Sequence, residues 1–146
     1  MLISDSIQDE QVNEAQSLHK ELEQIQILIA ESEKELQSLF RTYLSSLGMS
    51  IKTAKTGHET LGYYLDSKKN GRPYSAIVLD THLANPSGLD VAKRIHSENL
   101  DQKMVIVTTT PVQYLPQDCL KTAGIEAKDI LIMLFRMSEL MTALKN

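Results

Sequence analysis

From Ile25 onward, short apolar runs alternate with segments of helical period, and that alternation leaves few folds open. The run Ile25, Ile27, Leu28, Ile29, Ala30 is followed by Leu36, Leu39, Phe40, Tyr43, Leu44 and Leu47, one helix face that Gly48 ends. Met49, Ile51 and Thr53 then alternate with Ser50 and Lys52, the pattern of a less covered strand at a sheet edge. A helix through Leu61, Tyr64 and Leu65 comes next. Residues 76–79 form an unbroken apolar strand closed by Asp80, and a turn with Pro86 and Gly88 leads into a helix carrying Val91, Ala92 and Ile95. Met104 to Val107 with Thr108 make a fourth strand, Leu115 to Thr122 a weakly marked fourth helix, and Ile130 to Leu134 a fifth strand. Met137, Leu140, Met141 and Leu144 close the chain as a short helix.

Five such units in about 120 residues fit an open, doubly wound parallel sheet between two helix layers, a three-layer α/β sandwich. A closed eight-stranded barrel needs roughly twice that length. Right-handed crossovers place helices on both faces, and chemistry in such folds gathers at the carboxyl ends of the strands. Those ends carry Glu31, Ser32, Asp80, Thr108 and Met133.

Charge divides the chain. The formal net charge is −4, yet residues 1–24 carry six acidic residues against Lys20, so the remainder is almost neutral. This leader lacks Gly and Pro and spaces Val12, Ala15, Leu18 or His19, Leu22 and Ile25 at helical intervals, which predicts an amphipathic helix from about Ser6 to Glu23. Residues 1–23 thus read as a helical extension and 24–146 as the folded body. The stripe could seat on the body, extend a sheet edge, or pair with a second copy as a short coiled coil into a homodimer.

The small negative charge argues against nucleic acid or an anionic membrane as partner. One cysteine, Cys119, excludes an internal disulfide and suits a reducing compartment, and the polar leader lacks the pattern of an export signal. The expected location is the cytoplasm, with no membrane contact. Cys119 has no basic cluster near it in sequence and reads as inert. His19 reads as structural, and no glycine-rich phosphate loop, Ser/His/Asp set or Cys/His metal spacing is present, so the chain is not expected to be an enzyme. A flavin carrier on the same architecture would need a phosphate-cradling loop after the first strand, where Glu31-Ser-Glu-Lys-Glu stands instead.

Several segments, in order and at family spacing, carry a likeness. They are Ile27-Leu-Ile-Ala-Glu-Ser-Glu, Ile77-Val-Leu-Asp-Thr-His-Leu with Gly88 eight residues past Asp80, Val105-Ile-Val-Thr, Ala123-Gly-Ile, and Phe135 before the last helix. Over about residues 24–145 the chain resembles a receiver domain of two-component response regulators. The resemblance implies a flavodoxin-like (βα)5 fold with strand order 2-1-3-4-5, preceded here by the extra N-terminal helix. It implies Asp80 as the phosphoacceptor, phosphorylated by a histidine kinase, with Mg2+ held by Asp80, Glu31 and the backbone carbonyl of His82. The His82 imidazole needs no role and is expected at the surface.

Where the family carries a second acid, Ser32 stands, which should weaken the metal; Glu33 is a substitute acid expected to face solvent. The switch hydroxyl is Thr108, and its aromatic partner is replaced by Ile130. The family lysine aligns with Met133. The reading is a receiver in a two-component phosphorelay that signals to a downstream protein through protein contacts, since only Asn146 follows the closing helix. The alternative is a phosphorylation-independent pseudo-receiver module in which Ile130, Met133 and Leu134 form a constitutive surface or core.

Overall fold

The computed structural model describes residues 13–17, 20–133 and 144. Five parallel strands form one sheet: β1 (Gln26–Ala30), β2 (Ser50–Ala54), β3 (Ala76–Asp80), β4 (Met104–Thr108) and β5 (Ile130–Ile132), in the order β2-β1-β3-β4-β5. Helices α1 (Lys34–Ser46), α2 (Gly57–Lys69), α3 (Gly88–Glu98) and α4 (Gln117–Thr122) connect them, with single 3-10 turns at Val112–Tyr114 and Ala127–Asp129. This is the expected flavodoxin-like doubly wound sheet, with the order reversing between β1 and β3.

Burial follows each strand's place in the sheet. In β1, flanked on both sides, Leu28, Ile29 and Ala30 are fully buried, as are Ile77 and Leu79 of β3 and Ile106 of β4. The alternating β2 lies at the edge, its Ser50, Lys52 and exposed flank confirming the edge reading. The core is completed by Val91, Ala92 and Ile95 from α3 and by Leu61 and Tyr64 from α2.

Helix α1 buries less than its apolar face promised. Leu36 is buried, whereas Leu39 and Tyr43 are exposed, because α1 packs on the edge strand β2, which covers only part of that face. Gly48, at φ 97°, ends α1 as read: its N–H donates to the Ser45 carbonyl and that of Met49 to Leu44, which satisfies two carbonyls of the last turn. Thr56 caps α2 by accepting the Glu59 N–H (3.1 Å), and Ser87 caps α3 by accepting that of Asp90 (3.2 Å).

Three boundaries differ from the sequence reading. The first strand begins at Gln26, not Ile25. The fourth helix starts only at Gln117, since Pro116 stands at its N-cap and the residues before it turn as a 3-10 segment. The fifth strand ends at Ile132, and Met133 lies beyond it although its N–H still donates to the Thr108 carbonyl (2.7 Å). Of the leader helix, residues 13–17 and 20–23 are helical. Its start, His19, Leu134, Phe135 and most of the closing helix lie outside the described residues; Leu144 is helical.

The amino-terminal end of β4 is held by a Lys103 to Asp129 ion pair of 2.6 Å. The Lys103 hydrogen bond, above all, holds the Asp129 carboxyl below the usual carboxylate range; burial opposes this, and the Glu126 N–H, which donates to Asp129, supports it. A depressed folded-state value means that the stabilisation is complete above the unfolded value of about 3.9 and is lost as pH falls through the folded one. Asp129→Asn is therefore expected to lower stability at pH 7 by about 1 kcal/mol, Lys103 being half exposed, and to flatten the acid limb of a denaturation curve. Urea melts of both proteins between pH 7 and 2.5 check this; parallel curves would count against it.

Candidate functional site at the carboxyl rim

Strand register decides which acids meet. Ala30 of β1 pairs with Leu79 of β3, so the next residues, Glu31 and Asp80, emerge side by side from neighbouring strands at the same rim. Both are almost completely buried, 1% exposed for Glu31 and 2% for Asp80. Such carboxylates at a strand end have their charge satisfied by local donors. The His82 N–H donates to Asp80 Oδ1 (2.8 Å), and the Glu33 N–H donates to Glu31 Oε2 (2.9 Å). Through that bond Glu31 also holds the backbone that leads into α1.

Gly88 explains why the turn after Asp80 has its composition. A Cβ on Gly88 would stand 2.2 Å from the Asp80 carbonyl oxygen, so only glycine lets α3 begin against the end of β3. Gly57 plays the same part at the start of α2, where a Cβ would meet the Pro86 carbonyl at 2.1 Å. The Gly57 and His58 N–H groups donate to the carbonyls of Ala84 and Asn85, which ties the loop after Asp80 to α2.

Thr108 closes β4 one residue beyond Val107, the partner of Asp80, and is 2% exposed. Its Oγ1 accepts the Thr110 N–H (3.0 Å) and lies 2.8 Å from Thr81 Oγ1. Leu36, Asp80, Val107, Thr108, Thr109 and Met133 close around a narrow gap beside Asp80. Met133, half-buried just past the end of β5, is one of these lining residues. Ile130 is buried at the start of β5.

One expectation is corrected. Glu33, expected in solvent, is 8% exposed, because its N–H folds back onto Glu31 and draws the N-cap of α1 inward. The His82 side chain is exposed, as expected, and its Nδ1 lies 3.4 Å from Asp80 Oδ1. Ser32 is exposed. Sequence reasoning also missed Leu36 as a wall of the site and the hydroxyl pair of Thr81 and Thr108; a hydroxyl directly after the closing acid was the available signal for the latter. Away from the rim, Lys93 Nζ lies 4.0 Å from Cys119 Sγ, a neighbour that comes from α3 and so was invisible along the chain.

Among the described residues no three His, Cys, Asp or Glu side chains stand together as a metal-binding group. Magnesium does not require one: it keeps several waters and uses one or two carboxylates with phosphate oxygens. Two acids on adjacent strand ends suit that demand, and they suit zinc or a full calcium cage poorly.

The fold and rim define a doubly wound α/β domain with paired acids at its carboxyl edge, and comparison with known proteins specifies it further. Residues 27–145 match the family model described as the response regulator receiver domain, and the chain belongs to that family. It is 26% identical over 121 residues to the transcriptional regulatory protein DltR of Streptococcus agalactiae, covering 83% of this chain and 50% of that protein. It therefore spans about half the length of the curated relatives it matches. Among solved structures, response regulator protein TrrA from Thermotoga maritima, in complex with Mg2+ and BeF, matches with 26% identity, a TM-score of 0.61, and coverage of 83% and 96%. A complex of histidine kinase ThkA with TrrA matches at 24% identity and a TM-score of 0.62, covering 83% of this chain and 96% of that one. The protein is a receiver domain of the two-component response regulators. No helix among the described residues is long and apolar enough to cross a membrane.

Proposed function

We propose that this receiver accepts a phosphoryl group on Asp80 from a histidine kinase and passes the change to a downstream protein through its surface, in the cytoplasm. The observation that carries this reading is the side-by-side burial of Asp80 and Glu31 at one rim. An Asp80 carboxylate oxygen attacks phosphorus, and the kinase's phosphohistidine nitrogen leaves. Attack by an anion on an anionic group needs charge neutralised at the phosphoryl oxygens. Magnesium, held by Asp80, Glu31 and the His82 carbonyl, would supply that neutralisation, and Ser32 in place of an acid would make its hold weaker. Thr108, which closes the neighbouring strand and lines the same gap as Asp80, would contact the phosphoryl group.

The phosphorylation-independent module is less well supported. Ile130 and Met133 do replace the family's aromatic and lysine, but the acceptor, one acid and the switch hydroxyl remain buried together. Incubation with magnesium and acetyl phosphate, followed by intact-mass measurement, tests the choice. A gain of one phosphoryl mass is expected in the parent and none in Asp80→Ala; equal spectra for the two at millimolar magnesium would favour the module.

A further inference from the structure

The hydroxyl pair at the rim has a direction. A threonine hydroxyl carries one proton and two lone pairs. Thr108 Oγ1 already accepts the Thr110 N–H, and among the described residues its other hydrogen-bond partner is Thr81 Oγ1 at 2.8 Å. Phosphoryl oxygens on Asp80 can only accept, so a Thr108 that contacts them must turn its single proton toward them. Its remaining lone pair then takes the proton of Thr81.

We infer that Thr81 is a positioning residue: its hydroxyl donates to Thr108 and thereby sets Thr108 as a proton donor toward a phosphoryl group on Asp80. This rests on the reading of Asp80 as acceptor. The chain Thr81 O–H to Thr108 O–H to phosphoryl runs one way, with Thr110 N–H as a second donor into the same oxygen. Donors into a hydroxyl oxygen polarise it and strengthen the bond it donates. Thr108 is 2% exposed, so bulk water is largely kept from competing for its hydroxyl. The sheet does not need the Thr81 hydroxyl, because pairing at this point is made by the Thr81 N–H to the Val107 carbonyl (3.0 Å). The device matters here because the Met133 position brings no proton to the phosphoryl oxygens.

Rates of phosphoprotein formation from acetyl phosphate and magnesium, read by intact mass on the full chain, test the assignment. Thr81→Val keeps the shape without the hydroxyl and is expected to be about fivefold slower, the weight of one hydrogen bond, with Thr81→Ala slowed similarly. Thr81→Ser restores the parent rate, and Thr81→Val adds no further loss on a Thr108→Val background. Parent-like rates in both hydroxyl-free variants, a serine variant as slow as valine, or an undiminished Thr81→Val effect without the Thr108 hydroxyl would each overturn it. A clamp that merely joins strand ends would shift the melting temperature and leave the rate alone, which also overturns it. A parent that takes up no phosphoryl group refutes the acceptor reading itself, and this inference with it.

Discussion

Met133→Lys is expected to raise the rate of magnesium-dependent phosphoprotein formation on the order of tenfold, with Met133→Gln staying near the parent. Met133 lines the narrow gap beside Asp80, and a half-buried lysine there would bring an ammonium group to the rim that carries Asp80. Preorganised positive charge at developing negative oxygens is commonly worth on the order of tenfold to a thousandfold in rate, and the low end applies where the side chain is partly open to solvent, as at Met133. Glutamine matches the length without the charge, so it separates electrostatics from shape. The measurement is the initial rate with acetyl phosphate at fixed magnesium. A lysine variant no faster than glutamine would show that Met133 does not stand in the lysine's place.

Gly88→Ala is expected to destabilise the domain by about 3 kcal/mol, while the same change at Gly62 stabilises it by about 0.5–1 kcal/mol. The methyl at 88 would lie 2.2 Å from the Asp80 carbonyl oxygen, and 3.0 Å from its carbon, so backbone must move on one side or the other. The displaced atoms belong to Asp80, the proposed acceptor, so phosphoprotein formation should fall with stability. Gly62 lies within α2 with nothing within 4 Å of an added Cβ, so alanine there only removes freedom from the unfolded chain. Thermal or urea unfolding of the two variants checks the signs. Two changes of the same sign would contradict the close approach of α3 to β3.

The fold was legible because each strand's pattern reports its own neighbourhood: alternation in Ser50–Ala54 marks an edge, and continuity in Ala76–Leu79 marks a strand covered on both faces. The rim was legible to the extent that acids close strands, which places Glu31 and Asp80 before any geometry is known. What crosses between strands was not. The Thr81 and Thr108 contact, Leu36 as a wall beside Asp80, and Lys93 beside Cys119 each join residues from separate elements, and no periodicity encodes them. Glu33 shows a subtler failure: a charged residue at a helix start is ordinarily solvated, yet one backbone hydrogen bond to Glu31 turns it inward.

The polar alternation of β2 also governs how copies of this domain meet. A sheet's outer strand offers unpaired amides and carbonyls to any extended chain that passes, and flat apolar edges recruit others into fibres. Here the border strand carries Lys52, whose ammonium sits 4.4 Å from the centre of the Tyr63 ring, and Arg41 donates to Thr53 (2.8 Å) from the helix above. Bringing two such borders together would force like charges into one seam, so the residues that mark β2 as peripheral also discourage aggregation along it.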